Sequence, residues 1–159
     1  MSETTPEAID RLTGGAAAGL KAARPAVWAA LEASDAALLG AEAIPDISAA
    51  ERALLAVAVA AWHEDGVAMG HHAAAAAQAG AALEAVETAR SGAASDPRLA
   101  AMMAHARRLT FSPATATPAD LAALRAAGIS EDGIVSLSQL IAYLSHQLRA
   151  AHLLRVIGG

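Results

Sequence analysis

Alanine fills nearly a third of the chain and recurs in runs such as Ala73–Ala77, while β-branched residues are few and the aromatics are four: Trp28, Trp62, Phe111 and Tyr143. Alanine gives up no side-chain entropy in a helix and heads the helix-propensity order, whereas sheets draw on the residue types that are scarce here. The fold class is therefore all-α. The 159 residues suffice for one domain with a single core. Faces made of alanine bury little area each, at roughly 25 cal/mol per Å², but let helices approach closely. A chain built this way is expected to complete its core against further copies of itself, as a homo-oligomer.

Local punctuation marks out the helices. The best start is Ser48, where "SAAE" puts Glu51 three residues on in a capping box, ahead of the apolar run "ALLAVAVAAW". That helix is expected to reach Glu64. Asp65-Gly66 breaks it, and Asp65 can cap a second helix running to Gly80, so the two form an antiparallel hairpin or a sharp bend. Pro97 opens "PRLAAMMAHARRLTF", with Leu99, Met102, Met103, Ala106 and Leu109 inward. "SPATAT" reads as a loop, Thr117-Pro118 with Asp120 as a cap and first turn, Gly128 as a stop, and Ser130 to about Val156 as the last helix. Upstream, residues 6–21 and 25–39 read as helices, the first weakened by Gly14-Gly15, the second carrying Val27, Trp28, Leu31, Leu38 and Leu39.

Composition excludes several classes of function. The net charge of -5 is spread along the chain and the basic residues form no stripe, so neither nucleic acid nor an anionic membrane is an expected partner. Mean hydropathy is +0.38, but alanine carries it. The most apolar run stops after about ten residues, too short to span a bilayer. "MSETTPEAID" has neither a basic nor an apolar segment of the secretory kind, so a cytoplasmic location is expected. No cysteine is present, which removes disulfides, thiolate metal sites and thiol nucleophiles.

Four phrases, "ERALLAVAVAAW…HHAAAAAQAG", "DPRLAAMMAHARRLT", "ADLAALRAAGIS" and "SQLIAYLSHQLRAAHLL", follow one another in the order and spacing of a known group. In this the chain resembles the carboxymuconolactone decarboxylase superfamily, which includes the alkylhydroperoxidase D-like proteins. The resemblance covers residues 48–157. It divides the chain into a helical leader, 1–47, packed on a carboxymuconolactone decarboxylase-like domain, 48–159, and implies trimers or hexamers. The peroxidase branch uses a CxxC pair, a histidine four residues later and a glutamate one helix upstream. Aligned through His72, Ala76 and Gly80, the two cysteine positions fall on Asp65 and Ala68 and the glutamate near Ala53. Only His72 is kept. Neither aspartate nor alanine can attack an O–O bond or resolve a sulfenic acid, so thiol peroxidase chemistry is excluded. The decarboxylase branch carries an acidic residue near the position of Ala68, which this chain also lacks.

The candidate catalytic residues are His72 and Asp65. Seven positions apart on a continuous helix, they share a face. His72 would carry the proton, with Asp65 or Glu64 orienting it; against that stand a core histidine and a simple helix cap. His71 points about 100° away. His63, His71 and His72 match no common metal-ligand spacing, so no metal is assigned and no cofactor is expected. The candidate ligand-binding residues are Trp62, His146 and Arg149. His146, Arg149 and His152 recur at intervals of three on the last helix, and Arg149 either pins that helix by a salt bridge or receives a small-molecule carboxylate. Two functions follow: a catalytically degenerate superfamily member that binds a small molecule or serves as a scaffold, or a cofactor-independent decarboxylase or isomerase with His72 as general acid/base. A pocket holding His72 beside a second polar group would favour the enzyme; a closed core around it would favour the first.

Overall fold

The computed structural model describes residues 7–16, 18–41 and 43–158. Among these there is no strand. The helices are α1 (Ala8–Thr13), α2 (Ala18–Lys21), α3 (Pro25–Leu39), α4 (Ala49–Trp62), α5 (Gly66–Gln78), α6 (Leu83–Arg90), α7 (Pro97–Phe111), α8 (Pro118–Ala126) and α9 (Glu131–Gly158), with a 3-10 turn at Pro113–Thr115.

The α4/α5 hairpin is the centre. Arg52 through Ala60 are all buried, as an unbroken apolar run on a helix requires neighbours on every side. α5, α6, α7, α9 and α3 supply them. Ser48 Oγ accepts from Glu51 N at 3.2 Å while Glu51 Oε2 accepts from Ser48 N at 2.8 Å, completing the capping box. Arg52, itself 1 % exposed, donates to the carbonyls of Gly40, Ala41, Ile44 and Ile47 and so holds the incoming loop.

Two cores flank the hairpin. One joins α4 to α6, α7, α8 and the start of α9 through Leu55, Val86, Met102, Leu124 and Leu137. The other joins it to α1 and the rest of α9 through Ile9, Leu12, Val59, Leu144 and Leu148. Of the inward set expected on α7, Leu99, Met102, Met103 and Ala106 are buried and Leu109 is half-buried. On α3 only Leu31 is buried; Trp28, Leu38 and Leu39 are half-buried and Val27 is 39 % exposed.

Some boundaries differ from the sequence reading. Position 6, the expected start of the first helix, lies outside the described residues, as does position 17. The segment is not one helix. Gly14 and Gly15 take φ of +60° and +86° and separate α1 from α2. α6 was not anticipated: eight residues with only Val86 and Ala89 buried show too little periodicity to stand out. The last helix begins where expected, behind Gly128 at φ +81°, and runs two residues past Val156.

Candidate functional site

The corner between α4 and α5 is built by its own backbone. His63 ends α4, Glu64 turns left-handed at φ 57°, and Asp65 N donates to Ala60 O at 3.0 Å, the bond that closes this kind of helix stop. Asp65 then caps α5, its Oδ1 accepting from Ala68 N at 3.0 Å. Its Oδ2 accepts from Arg155 Nη2 at 2.5 Å, and Arg155 Nη1 donates to Leu12 O at 2.7 Å. Burial pushes the Asp65 carboxyl up, but the Ala68 N–H and the Arg155 guanidinium outweigh it and hold the group below the usual carboxylate range.

A cleft of about 630 Å³ opens between this corner and the last turns of α9. His63, Glu64 and Asp65 line one side, and Arg149, His152 and Arg155 the other, with Leu148 and Val67 as its apolar lining. Asp65 and Arg155 satisfy each other. The side chains of Arg149 and Glu64 are exposed and make no hydrogen bond or ion pair with any described residue. His63 Nε2 is buried without a hydrogen-bond partner. Burial, then the Arg149 guanidinium, lower the His63 pKa, with Asp65 acting weakly against them, so the ring is neutral at pH 7.

His72 does not line this cleft. It sits in α5 at 3 % exposure, its Nε2 buried and without a partner, its ring 5.0 Å from that of His71 in an edge contact. Burial, then His71 and Arg11, drive its pKa down to about 3, against a weaker pull from Asp65. Asp65 makes no hydrogen bond to it; the carboxylate oxygens accept from Ala68 N and Arg155 Nη2 instead.

The ligand-binding candidates separate. Arg149 is in the cleft. His146 lies in a shallow groove between α3 and α9, beside Leu31, Ser34 and Tyr143. Trp62 does not line the cleft and packs against both cores, its ring centroid 6.2 Å from that of Phe111 and 5.7 Å from the Arg107 guanidinium. The salt bridge that pins the last helix is made by Arg155, not Arg149.

Arg155 escaped the sequence reading, and so did a polar seam beside His71. Asp35 accepts from Arg11 Nη2 at 2.7 Å, from Tyr143 Oη at 3.1 Å and from Gln147 Nε2 at 3.3 Å, while Gln147 Nε2 also donates to Tyr143 Oη at 2.8 Å. Burial and the Asp35 carboxylate keep the Tyr143 phenol protonated. The only signal in the sequence was the i,i+4 spacing of Tyr143 and Gln147. Among the described residues no three His, Asp or Glu side chains converge as a metal site, and no helix is long and apolar enough to cross a membrane.

Solved structures give this arrangement of helices a precedent. An uncharacterized peroxidase-related protein from Silicibacter sp. TM1040 superposes with a TM-score of 0.74 at 22% identity, over 82% of this chain and 69% of that one. A second, an alkylhydroperoxidase AhpD core described as an uncharacterized peroxidase-related protein, from Ralstonia eutropha JMP134, gives 0.76 at 21%, over 84% and 71%. The fold is alkylhydroperoxidase D-like. No family model and no curated protein matches the sequence. Within this fold the α4/α5 corner, where the resemblance puts the CxxC pair, holds a carboxylate and a methyl group. The N–H groups and dipole at the start of α5, which would favour a thiolate, stabilise the Asp65 carboxylate by the same physics.

Proposed function

We propose that this chain is a member of the alkylhydroperoxidase D-like superfamily that has left thiol redox chemistry and binds a small carboxylate-bearing molecule in the cleft beside Asp65. One observation carries the proposal. Of the two arginines in the cleft, Arg155 is neutralised by Asp65 while Arg149 has no partner among the described residues. A guanidinium presents paired N–H donors in a plane that suits a carboxylate. His63, neutral and next to Arg149, adds a hydrogen-bonding nitrogen, and Leu148 with Val67 offers an apolar seat. His72 serves the core in this reading, since a buried imidazole outside the cleft has no route to a bound molecule.

The chain works as a homo-oligomer, a trimer or hexamer. Leu153, Val156 and Ile157, 57–67 % exposed on the last turns of α9, support this as an apolar face larger than lone surface residues explain.

Native mass spectrometry of freshly purified protein, compared with its denatured mass, reports subunit number and bound small molecules together. Addition of 4-methylpentanoate is expected to shift the native mass by whole ligands. Arg149→Gln is expected to abolish that shift at unchanged melting temperature. Equal binding by wild type and Arg149→Gln, or none by wild type, refutes the proposal.

A further inference from the structure

The cleft holds two uncompensated charges, and they have opposite signs. Arg149 and Glu64 both line it, and neither pairs with the other or with any other described residue. The remaining charged pair, Asp65 and Arg155, is closed on itself and on Leu12 O. His63 is neutral. What the cleft leaves unmatched is therefore one cation and one anion, separated within a space of about 630 Å³.

The backbone at Glu64 adds a second, independent observation. Glu64 is the only non-glycine among the described residues with positive φ, at 57°. At a helix stop of this kind glycine fits without strain, and asparagine with little. A glutamate there costs conformational energy and places a carboxylate at the edge of the cleft; strain of this sort gathers at ligand-binding positions.

From these observations we infer that the ligand is a zwitterion, carrying a carboxylate that Arg149 receives and an ammonium that Glu64 receives, with an aliphatic portion over Leu148 and Val67. This rests on the carboxylate-binding reading and deepens it. A free amino acid and a short peptide share this chemistry. Neither charge of such a ligand need be left unpaired on binding, whereas a simple carboxylate leaves Glu64 unmatched and a simple amine leaves Arg149 so.

Calorimetric titration at pH 7 with L-leucine, L-leucyl-L-leucine, 4-methylpentanoate and 3-methylbutylamine separates the cases, because the last two are leucine without its ammonium and without its carboxylate. A zwitterion is expected to bind at least about tenfold more tightly than either single-charge analogue, the loss of one charge-assisted contact. Whichever of leucine and the dipeptide binds more tightly identifies the source. Glu64→Gln is expected to remove the advantage over 4-methylpentanoate while keeping that over 3-methylbutylamine, and Glu64→Gly to do the same while raising the melting temperature. If 4-methylpentanoate binds as tightly as both zwitterions, the inference is overturned and the carboxylate reading survives. If 3-methylbutylamine is the tightest ligand, or nothing binds, both fall.

Discussion

Asp65 holds two positions at once, as the cap of α5 and as the partner of Arg155, and the two can be separated. Replacing it with alanine removes the acceptor for Ala68 N, worth about 1 kcal/mol. It also strands Arg155. The Asp65 side chain is 6 % exposed and that of Arg155 25 %, so the pair is less costly to break than the 3–5 kcal/mol of a fully buried one; about 1–3 kcal/mol is the expected range. Asp65→Ala should therefore lose roughly 2–4 kcal/mol, which for a chain of this size lowers the melting temperature by roughly 5–15 °C. Asparagine caps as well as aspartate, so Asp65→Asn should lose only the ion-pair part. With Arg155→Met as the second arm, the double-mutant cycle should give a coupling of at least about 1 kcal/mol.

Urea unfolding at pH 7 measures all four corners of that cycle, and acid supplies a check. The folded pKa of Asp65 lies below its ordinary 3.8, so its contribution is complete above that value and is lost as pH falls through the lowered one. The gap between wild type and Asp65→Asn should hold from pH 7 to about 5 and close below. A coupling near zero, or Asp65→Asn as costly as Asp65→Ala, would show that the cap and the pair do not act as described.

His72, driven down to about 3 from 6.5, contributes stability that is complete above pH 6.5 and is lost on acidification towards 3, by up to about 1.4 kcal/mol per pH unit. His72→Leu should then stay within about 1 kcal/mol of wild type at pH 7.5 and exceed it at pH 4.5 in urea midpoint; equal pH profiles would contradict the burial. Gly133→Ala places a methyl group against the carboxylate of Asp46, which is fixed by accepting from Ser130 N at 2.9 Å. It is expected to cost about 1–3 kcal/mol, and an unchanged melting temperature would show that the start of α9 gives way freely. Peroxide consumption with dithiothreitol or a thioredoxin couple should not exceed that of buffer, and turnover that survives repurification would mean a redox group other than a thiol.

What was legible in the sequence was local. Ser48 with Glu51, Asp65 before Gly66, Pro97 and Gly128 each fix a helix end through groups within a few residues of one another, and the structure has an end at each. The resemblance of four phrases extended that to the arrangement of the helices. The site was less legible, because its pairs span the chain. Arg155 reaches Asp65 across 90 positions and Leu12 across 143, and no spacing rule links such residues. Arg149 and Arg155 look equivalent along α9; only the corner they face decides which is neutralised. His146 lies one turn from Arg149 yet opens onto a different groove, since three residues turn a side chain by about 60° from alignment.

The Arg155 contacts also make the two extremities of the fold a single cooperative unit. α1 is short, six residues, and in isolation would not hold a helical conformation. Its Leu12 carbonyl is secured by a side chain whose other donor is committed at the rim of the cleft. Local opening of α1 and loosening of the cleft wall are thus the same fluctuation seen from two places. Occupancy of the cleft should accordingly slow amide exchange in residues 8–13, none of which lines it, by the factor by which ligand favours the closed form.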